Sequence, residues 1–141
     1  MSPPRRYEGR GFATRRSLQA AVFILGFVPV VAGLAGVLLG PGMVHEPGAA
    51  SVAMDSHFRY LSGLLLGIGL GFWSTIPAIE AKTARFRLLT AIVFLGGLGR
   101  LYALFAVGVP DRAMLFGLTM ELIVTPLLAL WQTAVARRAS G

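Results

Sequence analysis

The sequence predicts an all-α, polytopic membrane protein built as an antiparallel bundle of four transmembrane helices. Three observations carry this. Hydrophobic residues make up 55% of the 141 residues and charged residues only 13%, against about 25% charged in a soluble domain. Four apolar runs approach the ~20 residues needed to cross a bilayer. The basic residues cluster at the ends of those runs, so the net charge of +7 reads as membrane orientation and not as nucleic-acid binding. Cysteine is absent, which excludes disulfides, thiolate catalysis and cysteine metal sites.

Residues 1–17 form a basic tail with Arg5, Arg6, Arg10, Arg15 and Arg16 opposed by Glu8 alone. Pro3, Pro4, Gly9 and Gly11 argue for disorder there. The run that follows, about 18–40, exceeds the usual 7–15-residue core of a secretory signal. It is therefore expected to be an uncleaved first helix. The others are expected at about 57–76, 86–106 and 113–133, giving a membrane domain over 18–133 and a tail over 134–141. Short links make consecutive helices antiparallel neighbours.

Orientation follows from arginine placement. The N-terminal tail, the link 77–85 with Arg87, and the C-terminal tail hold ten basic residues against Glu8 and Glu80. The opposite side holds Arg59, Arg100 and Arg112 against Glu46, Asp55, Asp111 and Glu121. The positive-inside rule then predicts an inner-membrane protein with both termini cytoplasmic. Trp73 and Trp131 end the second and fourth helices on that side, where aromatic belts sit.

Small residues write the expected packing. Gly63, Gly67 and Gly71 follow Arg59 at steps of four, a close-contact stripe in the sense of small-xxx-small motifs. Gly96 and Gly97 lie one turn from Arg100, and Gly117 one turn before Glu121. Gly26, Gly33 and Gly40 recur at heptad spacing in the first helix. Pro29 and Pro126 fall inside helices; each lacks an N–H and frees a carbonyl four residues earlier, at Leu25 and Leu122.

Arg100 and Glu121 are the candidate centre. An ionised side chain at bilayer depth costs roughly 2.5–3.5 kcal/mol on insertion scales, so it faces protein or a wet cavity and has a partner. At 1.5 Å per residue Arg100 lies ~9 Å below the outer end of its helix and Glu121 ~12 Å below the end of the next, within reach of each other. Such a pair either fixes helix register or serves a ligand or transported proton. Asp55, His57 and Arg59 stand at the outer mouth of the second helix, where Asp55 or Ser56 is expected to cap the helix and Asp55 to pair with Arg59 at i,i+4. With Arg59, the cluster has a surplus charge of +1 that suits an anion; if Asp55 joins it, the surplus vanishes. His45 and Glu46 with Asp55 and His57 match no metal-ligand spacing, so no metal is expected. Ser62, Ser74 and Thr90 have no histidine near them in sequence, and the glycines at 67, 69 and 71 lie in a membrane helix, unlike a phosphate loop. Neither catalysis nor a cofactor is expected.

Phe58-Arg59-Tyr60 with Gly63, then Leu95-Gly96-Gly97-Leu98-Gly99-Arg100, then Glu121 in the last helix resemble a family of small bacterial four-helix membrane proteins known only as a domain of unknown function. The resemblance spans about residues 18–133, and Gly-Gly-x-x-Arg is its most specific segment. By helix count the chain is also similar to DoxX-like membrane proteins. The resemblance implies that Arg59, Arg100 and Glu121 are the family's polar positions; it implies no activity. The expectation is an integral membrane protein, not an enzyme, in contact with membrane lipids. It would bind a hydrophobic or anionic small molecule or act as an accessory subunit, as a homo-oligomer or within a larger membrane complex. The alternative is a small proton-linked transporter using Glu121 and Arg100. Nucleic acid is not an expected partner.

Overall fold

The computed structural model describes residues 8–43 and 50–141. Described residues form helices α1 (Glu8–Leu39), α2 (Val52–Trp73), α3 (Thr83–Ala106), α4 (Arg112–Thr119) and α5 (Thr125–Ser140), with no strand among them. A π turn, Met120–Val124, joins α4 to α5 into one continuous helix over Arg112–Ser140. Four helices are thus long and apolar enough to cross a membrane. The chain is an all-α, multi-pass membrane protein.

Two compact units divide it. One comprises Ala21–Ile76; the other comprises the residues up to Ala20 together with Pro77–Gly141. In the first, α1 and α2 form a hairpin whose register is set by glycines on α1 and just after its end. A Cβ at Gly26 would collide with the Trp73 indole, one at Gly33 would come within 2.8 Å of the Leu66 Cα and the Ser62 carbonyl, and one at Gly40 within 2.6 Å of the Arg59 guanidinium. Each step of seven up α1 is therefore a step of seven down α2, as an antiparallel pair requires. Trp73 Nε1 donates to the Phe23 carbonyl at 3.0 Å, and its ring packs on Phe23 and Phe27.

The expected stripe on α2 is not the one that packs against α1. Gly67 has open space at its Cβ position, and Gly63 has only Val37 Cγ2 at 3.9 Å. Gly71, next on the same stripe, is half-buried. The close approach is at Gly69, where a Cβ would lie 2.7 Å from Val30 Cγ2 and 3.0 Å from its amide. The cause is angular. Ser62, Leu66, Gly69 and Trp73 share the face turned to α1, and at 100° per residue the series 63, 67, 71 is rotated away from it.

The second unit holds the ends of α1, α3 and α5 that carry the basic residues. Leu18, Ile79, Phe86 and Gln132 are fully buried there. Gln132 Nε2 donates to the Ile79 carbonyl and to Thr83 Oγ1, both at 2.8 Å, tying α5 to the start of α3. Arg15 Nε donates to Glu80 Oε2 at 2.7 Å and Nη2 to the Pro77 carbonyl. Burial pushes the Glu80 carboxyl up, but the Arg15 hydrogen bond, Glu80's own amide and the Arg15 charge outweigh it and hold the group below its ordinary range. Little else is buried along α3 and α4–α5: Leu95, Tyr102, Phe105 and Leu130 stand well exposed. Apolar surface on that scale is suited to lipid, where helices associate through close packing and polar contacts instead of hydrophobic exclusion.

Helix limits differ from expectation mainly at the N-termini. Helix α1 begins at Glu8 instead of near residue 18, because its polar turns continue the helix and Arg15 is anchored to Glu80. Helix α2 begins at Val52, five residues early, because Ser51 is its cap: the hydroxyl accepts from the Met54 amide at 3.2 Å. Asp55 is thereby released from the capping role expected of it or of Ser56. His45 and Glu46 lie outside the described residues.

Candidate functional site

Helices α3 and α4–α5 bring Arg100 and Glu121 together across 21 positions of sequence. Arg100 Nε and Nη2 donate to Glu121 Oε2 and Oε1, each at 3.0 Å, a bidentate fork. Antiparallel helices make this geometry natural. Side chains lean toward the N-terminus of their own helix, so Arg100, six residues before the end of α3, leans back along α3, while Glu121 leans back toward the start of α4. They meet beside Gly117, whose Cβ position lies 3.8 Å from Arg100 Cζ.

Local sequence makes the close approach possible. Gly97 is buried, and a Cβ there would sit 2.7 Å from Leu122 Cδ2 and 2.9 Å from Glu121 Cβ. Gly96, expected to share this packing, has nothing within 4 Å of its Cβ position. One residue of rotation separates contact from open space, so only one of the adjacent glycines meets the partner helix.

The Glu121 backbone is unusual as well. The Thr125 N–H reaches back five residues to the Met120 carbonyl, and Thr125 Oγ1 donates to the same oxygen at 2.8 Å. The Glu121 carbonyl thus loses its α-helical donor, and Pro126 has no N–H to replace it. Pro126 therefore brings a widened turn, a form often found at functional sites, in addition to the freed Leu122 carbonyl that the proline rule gives.

Met114 is the site residue that the sequence reading missed. Arg100 Nη1 donates to Met114 Sδ at 2.8 Å. Asp111 caps α4 by accepting from the Met114 amide at 2.9 Å, which fixes that residue at the helix start. The signal was present: Met114, Gly117 and Glu121 are spaced three and four apart, on one helical face. The Glu121 side chain is 17% exposed and that of Arg100 35%, and Nη1 and Nη2 of Arg100 each keep one N–H that no acceptor among the described residues takes.

Arg59 and Asp55 form their own pair within the α1–α2 hairpin. Arg59 Nε donates to Asp55 Oδ1 at 2.7 Å and Nη2 to Oδ2 at 3.3 Å. Arg59 Nη1 donates to the Val37 and Leu38 carbonyls at 2.6 and 3.1 Å. These are carbonyls of the last turn of α1, which have no partner within the helix; a cation there also suits the helix dipole. Gly40, with φ of +65°, turns the chain just beyond. His57 is exposed and two residues from each member of the pair, a spacing that does not share a face. With Asp55 bound to Arg59, each arginine has its own carboxylate and no surplus charge is left for an anion. Among the described residues no three His, Asp or Glu side chains gather as a metal site.

A family model described as a domain of unknown function (DUF4345) matches residues 17–132, and the chain belongs to that family. No curated protein and no solved structure matches it.

Proposed function

We propose that this DUF4345 member is a non-enzymatic bacterial inner-membrane protein that binds a lipid-like or small amphiphilic ligand beside the Arg100–Glu121 pair. The observation that carries the reading is the partly exposed Arg100 side chain within a membrane helix, with two of its five N–H donors left over after Glu121 and Met114 are served. An arginine held for register alone would be enclosed by protein; this side chain is 35% exposed. The distribution of basic residues supports cytoplasmic termini, and with that orientation the pair would lie in the outer half. A reporter active only in the periplasm should stay silent when fused after Gly141.

Native mass spectrometry of the gently extracted protein tests the reading. A stoichiometric lipid-like adduct, retained by the parent chain and lost from Arg100→Lys, is expected. A spectrum without any adduct speaks against a ligand, and a stoichiometric protein partner would instead identify an accessory subunit. The π turn under Glu121 favours a second reading, a proton-linked transporter, since a carboxylate on a widened turn beside Pro126 has a backbone able to rearrange. That reading requires pH-driven flux in liposomes that Glu121→Gln abolishes.

A further inference from the structure

Arginine has five N–H donors. In Arg100, two serve Glu121 and one serves the Met114 sulfur. Nη1 and Nη2 each keep one N–H without an acceptor among the described residues. In hydrocarbon an unsatisfied donor is costly, so such groups are found satisfied by protein, water or ligand. Space for an acceptor exists. Gly96, one turn earlier on the same face and in the direction toward which the side chain leans, has no atom within 4 Å of its Cβ position.

Charge decides what kind of acceptor belongs there. Arg100 and Glu121 already neutralise each other. A bound anion would leave a net negative charge in a low-dielectric setting after losing its own hydration, which is unfavourable without a further cation. Arg59 offers no such help, because Asp55 neutralises it and, with the Val37 and Leu38 carbonyls, takes four of its five donors. A neutral carbonyl oxygen supplies two lone pairs and adds no charge. The thioether of Met114, a weak acceptor on a flexible chain, can yield its N–H to such an oxygen.

We infer that the open edge of Arg100, over the turn at Gly96, binds the neutral carbonyl oxygen of a lipophilic molecule: the ester carbonyl of a bilayer lipid or the ring carbonyl of a quinone. The inference rests on the ligand-binding reading above and narrows its chemistry from any amphiphile to an uncharged acceptor.

The test uses the full chain in a mild non-ionic detergent and four probes: a decyl-substituted benzoquinone, a diacyl phosphatidylcholine, its diether analogue without ester carbonyls, and decanoate at pH 8. Binding is read by native mass spectrometry and by thermal shift. Two variants accompany the parent. Arg100→Lys keeps the charge and loses the planar fork. Gly96→Leu fills the open turn and leaves the ion pair intact, so it folds even where Arg100→Lys does not. The quinone or the diacyl lipid should bind, with affinity lowered about tenfold or more in Gly96→Leu, as loss of one well-formed hydrogen bond implies. Quinone binding alone assigns the quinone source, and preference for diacyl over diether lipid assigns the ester source; both support the inference. Decanoate bound more tightly than either carbonyl probe, or diether bound as well as diacyl with no quinone binding, overturns the neutral-carbonyl inference and leaves the ligand site standing. Probes insensitive to both variants overturn the inference and the ligand-binding reading together.

Discussion

Arg59 and Arg100 each meet a carboxylate through two nitrogens, but the surroundings of the two pairs differ. Arg59 and Asp55 are one turn apart on α2, and the remaining nitrogen of Arg59 caps the last carbonyls of α1. Arg100 and Glu121 come from different helices, and the remaining nitrogen meets only a thioether. In the first pair four of the five arginine donors are consumed, two by Asp55 and two by carbonyls of a helix end. The second has donors left over, beside a widened turn in one helix and an open glycine in the other. An arginine in a membrane helix is thus informative through its unfilled donors more than through its charge.

The comparison is broken most severely at Glu121. Removing one partner of a buried pair costs about 3–5 kcal/mol, and the partial exposure here places the expected loss at the lower end. Glu121→Ala leaves a permanent cation within the helices. Arg100→Ala leaves a carboxyl that can take up a proton. Thermal unfolding in detergent should therefore rank Glu121→Ala below Arg100→Ala; the reverse order would mean that the arginine is satisfied elsewhere.

Next in size are the glycines. Gly97→Leu and Gly69→Leu drive side chains into Leu122 and Val30, and overpacking of this kind costs about 1–3 kcal/mol. Gly96→Leu and Gly67→Leu enter open space and should match or exceed the parent in melting temperature, since glycine inside a helix is itself unfavourable by about 1 kcal/mol. Equal losses across all four variants would place the helix contacts elsewhere.

Asp55→Ala should be milder than Glu121→Ala, because a more exposed pair one turn apart on a single helix contributes less than a pair between helices. Arg59→Ala should cost somewhat more than Asp55→Ala, as it also uncaps α1. Neither should change ligand retention in native mass spectra. Loss of ligand from Arg59→Ala would merge the two sites.

The smallest effect belongs to the third pair, Arg15–Glu80, which lies outside the comparison and serves as its control. The Glu80 carboxyl is held below its ordinary value of 4.5. Its contribution is therefore fully present above the unfolded value and disappears as pH falls through the lower folded one. Unfolding followed from pH 7 down to pH 3 should show an acid-dependent loss that Arg15→Ala reduces. An unchanged slope in that variant would show that Arg15 does not hold the carboxylate.

Much of this was legible in the sequence, for identifiable reasons. Four apolar runs fixed the helix number, since only a spanning helix satisfies its backbone in lipid without help. The depths of Arg100 and Glu121 followed from the rise per residue. The heptad glycines of α1 announced the hairpin register. The stripe at 63, 67 and 71 misled because a small-residue pattern identifies a face that can pack and not the face that does; Gly69, off the stripe, is the close contact. Helix starts were missed where polar residues extend an apolar run, as at Ser51 and in the turns before Leu18. The π turn was hidden because Pro126 announces a missing donor without saying how the preceding amides redistribute.

A double-mutant cycle on thermal stability, run for Arg100→Ala with Glu121→Ala and in parallel for Arg59→Ala with Asp55→Ala, tests the central claim most directly. The account predicts a coupling above about 1 kcal/mol for the interhelical pair, within the 0.5–3 kcal/mol seen for contacting residues. A clearly smaller coupling is expected for the more exposed pair on α2. Strictly additive losses at Arg100 and Glu121 would contradict it, since the two residues would then not hold each other.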